Sequence, residues 1–422
     1  MAEPATAALA GLRTEDAKAE TPERPLALLG RRDFRHVYGA IAVSELGDAF
    51  QYIALMWFAL EAGGPLGVLA VRLADSVPAL MFGLHGGVAA DRWDRKRTMI
   101  AADLIRAAVL IPVAAAGLAG HLPLAALVAA AFVLTAATSY FDPAYGALVP
   151  AIVERRNVQP ANGLVRATAE AVHVGGWGLA AGLLLLMPLS VFFAVNAVSF
   201  VVSALLLTGI RSPGARPVHG EAPRIRDGLA ALRPLPALAT AVAVLGVAVT
   251  ISSGTWIVGV PQLVRSNLGG GASAFSLLVV AYSAGAIASG AVLARRPIRQ
   301  KAIASLLAWT LYAPAYALFA VAGSLWPALA GGAAAGMGQG AALVLVNSAA
   351  QESVADGLLG RVSGLIALVH RGAHATGLLL VAPFFAILDP QVVFAAAAVA
   401  IPAAGLAGAS IALGRTRGRA LA

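Results

Sequence analysis

This 422-residue chain contains no cysteine, which excludes disulfide frameworks, thiolate zinc sites and iron–sulfur clusters held by cysteine. It is also poor in charge. Asp, Glu, Lys and Arg together make up 12% of the residues and hydrophobic residues 59%, whereas soluble domains carry roughly a quarter charged residues. No H-E-x-x-H zinc motif, G-x-S-x-G nucleophile elbow, Walker phosphate loop or Rossmann glycine pattern occurs in a suitable context. That argues against an enzyme and excludes direct driving by ATP. Gly336-Met-Gly-Gln-Gly340 has the look of a nucleotide loop but lies inside an apolar run, where glycines serve bending or close packing. Residues 1–35 lack the apolar stretch of a signal peptide and read as a disordered cytoplasmic tail, so the first apolar segment doubles as the insertion signal.

What is present is a series of long apolar runs. Twelve stretches are long enough to cross about 30 Å of hydrocarbon at roughly 20 residues each. They run approximately over 36–60, 66–90, 99–119, 122–143, 163–186, 189–210, 236–262, 271–294, 301–322, 325–349, 360–386 and 390–413. Continuous Ala, Leu, Val and Gly composition predicts helices rather than the ten-residue alternation of a membrane barrel. The expected class is an all-α membrane protein of twelve transmembrane helices.

The basic residues set the orientation, because cytoplasmic connections accumulate Lys and Arg. With the N-terminus inside, 25 of the 30 fall on cytoplasmic segments, Arg265 falls outside, and Arg72, Arg106, Arg166 and Arg371 lie within or at the ends of spans. The net charge of +9 therefore belongs to one membrane face and its anionic lipids. No aromatic-basic surface points to nucleic acid. The connection RSPGARPVHGEAPRIRDGLAALR (211–233) divides the chain into two pseudo-symmetric halves of six spans, 36–210 and 236–413, with a linker at 211–235 and a basic cytoplasmic tail at 414–422. Two halves around a midplane site is the organisation of alternating access.

The connection after the second run, GGVAADRWDRKR (86–97), carries an acid and a basic cluster between two spans. Here the chain resembles the major facilitator superfamily: Gly87, Asp91, Arg92, Arg95 and Lys96 match its cytoplasmic signature G-x-x-x-D-R-x-x-R-K/R. GDAFQYIAL (47–55), DPAYGALVPAIV (142–153) and QESVADGLLGRVSGL (351–365) resemble the bacterial drug:proton antiporter branch, which includes macrolide and siderophore exporters. The resemblance implies that these signature residues latch the cytoplasmic side shut. Asp91 would face Gly360 and Arg361, a helix N-terminus and a cation at the start of the eleventh span. The bland alternative is that the basic cluster only enforces topology.

Ionisable groups inside spans are expensive in lipid and normally face a cavity or a partner. Asp48 lies about twelve residues, roughly 18 Å, into the first span and so near the midplane. Glu45 and Tyr52 sit one turn to either side of it, forming a polar stripe. In the fold that the chain resembles, spans 1, 4, 7 and 10 line the central cavity, so Asp48 is the leading candidate for proton or substrate binding. A purely structural carboxylate is the alternative. Arg166, Glu170 and His173 share one face of the fifth span, as a proton relay or as an intrahelical Arg166–Glu170 pair with a nearby imidazole. Trp177, among glycines where exporters tend to carry a Gly-Pro phrase, supplies a wall to the cavity or anchors packing. Asp75, with Arg72 one turn away, is expected to pair with Arg371 or His374 of the eleventh span in one conformation; snorkelling of Arg371 is the alternative.

The expected function is proton-coupled export of small amphipathic or hydrophobic molecules across the inner membrane, by a chain working as a monomer with both termini cytoplasmic. Its partners are substrate, protons and the bilayer, and neither cofactor nor metal is expected. Dedicated natural-product or siderophore export and proton-linked import are alternatives within transport. A polytopic membrane enzyme or a sensor is the alternative outside it.

Overall fold

In lipid every backbone N–H and C=O must be satisfied within its own segment, and this chain answers with helices alone among the described residues. The computed structural model describes residues 23–211, 225–295 and 298–420. Its helices are α1 (Arg32–Arg92), α2 (Arg95–Leu118), α3 (Leu124–Ile152), α4 (Val158–Leu183) and α5 (Val191–Thr208), then the short α6 (Ile225–Leu232). There follow α7 (Pro236–Gly254), α8 (Val260–Ser266), α9 (Ala272–Ala294), α10 (Lys301–Ala308), α11 (Tyr312–Ala320), α12 (Leu325–Ser353), α13 (Asp356–Leu380), α14 (Phe384–Ile387) and α15 (Pro390–Ala420). Among the described residues, 10 helical stretches are long and apolar enough to cross a membrane. A π turn at Thr255–Gly259 joins α7 to α8, and a 3-10 turn at Trp309–Leu311 joins α10 to α11, so each of these pairs makes one continuous crossing.

α1 is two helices joined at a break. Gly64 has φ 59° and ψ −152°, a left-handed backbone that favours glycine, and Pro65 follows it. The chain folds back there: a Cβ on Gly67 would lie 2.2 Å from the Ala59 carbonyl oxygen. Two other glycines let backbones touch. A Cβ on Gly86 would stand 1.9 Å from the Ser139 carbonyl oxygen of α3, and one on Gly336 1.8 Å from the Tyr282 carbonyl oxygen of α9. The Gly336 phrase therefore serves close packing of α12 on α9. Replacing Gly336 by Ala drives a methyl into fixed backbone, and we expect a loss of about 1–3 kcal/mol, read as a lower melting temperature of the purified protein in detergent.

Three expected boundaries move. The expected disordered N-terminal tail covers 1–35, but residues 25–30 form a 3-10 turn, Leu28 and Phe34 are fully buried, and α1 begins at Arg32. Arg31 explains part of this order, because it binds Glu154 at 2.7 Å and also Glu23, fastening the segment to the end of α3. Residues 1–22 of that expected tail lie outside the described residues. Of the expected 211–235 linker, residues 212–224 also lie outside them, while 225–232 are helical. The expected C-terminal tail from 414 continues α15 as far as Ala420.

Among the described residues the apolar interior falls into two clusters. The larger contains Trp309, Tyr312, Tyr316, Phe275 and Phe192. The smaller gathers Leu28, Phe34, Met99, Phe141, Leu148 and Leu207 near the end of the bundle that carries the 86–97 connection.

Candidate functional site

The first segment of α1 presents Glu45, Asp48, Gln51 and Tyr52 within two turns, and α4 and α5 bring partners to them. Asn196 of α5 donates from Nδ2 to Asp48 Oδ1 at 3.0 Å and to Gln51 Oε1 at 2.6 Å. Its own Oδ1 accepts from Ser199 Oγ at 2.7 Å. The close approach is permitted by Gly47, where a Cβ would lie 2.1 Å from Asn196 Oδ1. On α4, His173 Nε2 lies 2.8 Å from Glu45 Oε2, an ion pair whenever the imidazole is protonated. The His173 ring stacks on Trp177, centroids 5.4 Å apart, and Trp177 in turn faces Tyr52 at 6.1 Å. The Trp177 Nε1 is buried without a partner. Two carboxylates, an imidazole, two amides and two aromatic rings thus converge from three helices.

Glu170 and Arg166 sit on the expected face of α4, but both are exposed and no ion pair between them is formed; His173 turns to Glu45 instead. Asp75 is held by Arg72, whose Nη1 lies 2.7 Å from Asp75 Oδ2, and by the Thr135 hydroxyl of α3, which donates to Asp75 Oδ1. Arg371 is exposed on α13, and His374 stacks near His370 at 6.2 Å, its backbone carbonyl accepting from Ser253 Oγ of α7 at 3.2 Å. In this arrangement the pairing of Asp75 is with Arg72 and Thr135.

Asp94, Arg95 and Lys96 of the 86–97 connection hold helix ends. Asp94 caps α2, accepting from the Arg97 backbone N–H at 2.8 Å. Arg95 is buried, donating to the carbonyls of Ala90 at 3.3 Å and Ala147 at 3.1 Å, and so ties the end of α1 to α3. Lys96 Nζ donates to the carbonyls of Thr208 and Ile210, both at 2.7 Å, placing a cation at the C-terminus of α5. Arg92 is exposed, the Gly87 position has open space beside it, and the Asp91 side chain lies outside the described residues. A hollow of about 560 Å³ lined by Trp93, Arg97, Ile105 and Tyr140 opens beside this connection, away from Asp48.

Sequence reasoning missed several groups. Asn196 and Gln51 are neutral, and nothing in their spacing marks them as partners of Asp48. Asp103 and Arg106 form a buried pair on α2: Arg106 Nη2 lies 2.7 Å from Asp103 Oδ1, with side chains 5% and 0% exposed. Ser203 Oγ of α5 donates to Asp103 Oδ2 at 2.7 Å. The guanidinium carbon of Arg106 lies 4.4 Å from the centroid of Phe141 and 4.5 Å from that of Phe200. An acid and a base three residues apart inside an apolar run were the available signal.

Long apolar helices packed with charged groups facing one another inside the bundle are the build of a multi-pass membrane protein. The chain belongs to the major facilitator superfamily, matching over residues 23–421 the family described as transmembrane secretion effector. Among curated relatives, it is 29% identical over 184 residues to the MFS-type transporter YkuC of Bacillus subtilis (strain 168), covering 43% of this chain and 42% of that one. It is 25% identical over 275 residues to YvqJ of the same organism, covering 63% and 65%. With macrolide efflux protein A of Streptococcus pyogenes it shares 26% identity over 181 residues, covering 43% and 45%. The chain thus spans between 42% and 65% of the length of these relatives. In fold it is similar to the nucleoside transporter NupG, with TM-score 0.65 and 13% identity over 90% of this chain and 98% of that one. It is likewise similar to a bacterial homologue of the iron transporter ferroportin in an inward-facing state, with TM-score 0.67 and 16% identity over 90% and 98%.

Proposed function

We propose that this chain is a proton-coupled exporter of small amphipathic or hydrophobic molecules. Twelve passes form two six-helix halves in the inner membrane, with both termini cytoplasmic. The two segments of α1 on either side of Gly64 are passes one and two, and α4, with its His173 and Glu170, is the fifth. The observation that carries the reading is the Glu45–His173 pair beside Asp48 in the interior of a bundle of this family. Half-buried carboxylates beside an imidazole can exchange protons for a substrate, and the likeness to macrolide efflux protein A favours export.

Contacts joining the first six passes to the last six support an inward-open state. Arg265 Nη1 donates to the Leu60 carbonyl at 2.6 Å and Ser273 Oγ to the Ala181 carbonyl at 2.6 Å, both toward the end opposite the 86–97 connection. Trp57 meets Phe275 there as well, centroids 6.4 Å apart. Closing the other end engages the signature residues Asp91, Arg92 and Arg95 with the start of α13, and Asp75 then exchanges Arg72 for Arg371 or His374. Under that exchange, Asp75→Arg combined with Arg371→Asp restores transport that either single change impairs; two additive losses would refute it.

The test of the function uses everted vesicles with an acid interior, the native protein and a panel containing tetraphenylphosphonium, ethidium and erythromycin. Export by antiport makes at least one compound discharge the acid gradient, and vesicles without the protein do not respond. No discharge with any of them, together with compound-independent gradients, would remove multidrug antiport.

A further inference from the structure

In the orientation proposed above, the chain between α9 and α10 lies at the cytoplasmic membrane surface, and it borders two adjoining hollows that transport does not use. One, of about 410 Å³, is lined by Arg295, Lys301 and Ser348 together with Leu293, Ile298 and Val344. The other, of about 210 Å³, is lined by Arg299, Lys301 and Ser353, with the first turn of α10 on one side and Ala237 of α7 on another. Lys301 lines both and so stands between them. Its side chain is 23% exposed and pairs with Glu352 of α12, whose side chain is 59% exposed. Among the described residues the two hollows thus bring three cations against one carboxylate.

These cations are not spent on the fold. In the proposed twelve-pass arrangement this connection follows the eighth pass as 86–97 follows the second. In the 86–97 connection Arg95 and Lys96 are used on backbone carbonyls and Asp94 caps a helix. Arg295 and Arg299, by contrast, are exposed, and neither makes a hydrogen bond or ion pair among the described residues. Gln300, at the N-cap of α10, makes no side-chain capping bond, so the N–H groups of Ala302 and Ile303 beside the smaller hollow add to its donors. The larger hollow has an apolar wall next to its cations, and Val292 and Val344 at its edge are 52% and 42% exposed. Unpaired guanidinium groups beside exposed apolar surface match a phosphate that carries hydrocarbon chains better than they match a free anion.

We propose that the two hollows form one binding site for a phospholipid with two phosphate groups, of the cardiolipin class, taken from the cytoplasmic leaflet. One phosphate is held by Arg295 and Ser348 and the other by Arg299 and Ser353, with Lys301 between them and the acyl chains along Leu293 and Val344. Basic clefts between transmembrane helices on the cytoplasmic side suit such headgroups. Two hollows that share one lysine fit two phosphates joined by a short bridge, whereas a single phosphate leaves one of the two arginines unmatched. The inference rests on the proposed membrane orientation and is independent of what the chain transports. A lipid held there binds α7, α9, α10 and α12 together, and so stabilises the folded protein by mass action.

The test is lipid titration of the purified, delipidated full-length protein in detergent, read by native mass spectrometry and by melting temperature. The probes are tetraoleoyl cardiolipin, dioleoyl phosphatidylglycerol and inorganic phosphate. Cardiolipin is expected to bind one molecule per chain and to raise the melting temperature with its concentration, and phosphatidylglycerol to bind at least about tenfold more weakly. Inorganic phosphate is expected neither to stabilise the protein nor to displace the lipid. Arg295→Gln combined with Arg299→Gln should weaken cardiolipin binding at least about tenfold. Arg233→Gln combined with Arg415→Gln removes two exposed cations elsewhere on the same face and should leave the affinity unchanged. Glu352→Gln releases Lys301 and removes the one acid, so it should tighten binding, a gain that misfolding does not produce. Equal weakening by the two arginine pairs, or no tightening in Glu352→Gln, overturns the site and leaves these cations a role in topology alone. Equal affinity for phosphatidylglycerol overturns the two-phosphate assignment, and displacement by phosphate overturns the lipid in favour of a free anion. Because the chain has no cysteine, Arg299→Cys carries a single thiol whose labelling in intact cells reads the orientation separately. Labelling by an impermeant reagent from outside overturns the orientation and with it the leaflet, whatever the lipid titration shows.

Discussion

Asp48→Asn is expected to abolish compound-driven acid release from everted vesicles while leaving the protein folded and inserted. The substitution retains the shape of the side chain and an oxygen that can accept from Asn196 Nδ2, now 3.0 Å from Asp48 Oδ1, so the α1–α5 contact survives. What it removes is the negative charge, and with it the attraction for a substrate cation and the group that would exchange a proton for it. A loss of at least about tenfold in coupled release, equivalent to about 1.4 kcal/mol, is expected at saturating compound. The measurement is initial release rate per molecule of protein, with monodispersity in detergent as the control for folding. Native-like release in Asp48→Asn would move coupling to the Glu45–His173 pair, where Glu45→Gln becomes the decisive substitution.

Arg106→Met is expected to be the most destabilising single charge deletion in the chain. It leaves Asp103, fully buried, with the Ser203 hydroxyl as its hydrogen-bond donor and no counter-ion. Removing one partner of a buried pair typically costs about 3–5 kcal/mol, because the remaining charge stays desolvated. The Phe141 and Phe200 rings lose their cation as well, which adds about 2 kcal/mol at a desolvated site. Two features separate this from a simple packing defect. Adding Asp103→Asn to Arg106→Met should recover most of the loss, because an amide needs no counter-ion. The defect of the single variant should also shrink as pH falls, since a protonated carboxyl likewise needs none. Melting temperatures of the four proteins in detergent, at neutral and acidic pH, form the double-mutant cycle that reads this coupling. Equal melting temperatures for Arg106→Met and the double variant would show that Asp103 and Arg106 do not depend on each other.

Much of the architecture was legible in residue order because lipid leaves the backbone few choices. Runs of about twenty apolar residues have to be helices, and the helices begin and end near the Pro, Gly and charge punctuation that marks them, as at Gly64-Pro65 and at Asp94. The errors fall where tertiary contacts order segments that look polar. Residues 25–35 are fastened by Arg31 to Glu154 across 123 positions of sequence, and no local pattern announces that.

The site shows the same division. Depth along a helix follows from counting residues, so Glu45, Asp48, His173 and Asp75 could be named from their positions in apolar runs. Partners could not, because which side chains meet depends on the rotation of each helix about its axis and on how closely neighbouring backbones approach. That rotation takes His173 to Glu45 rather than to Glu170, gives Asp75 to Arg72 and Thr135, and brings Asn196 to Asp48 past Gly47. By itself the sequence determined that this chain crosses a membrane many times, where its charges are concentrated, and which ionisable groups are carried into the bilayer, because each of these follows from transfer free energies summed along the chain. Only the tertiary structure decided which charges are paired and which are left to bind something else, because electrostatic partnership falls off over a few ångströms and is settled by packing between helices far apart in sequence.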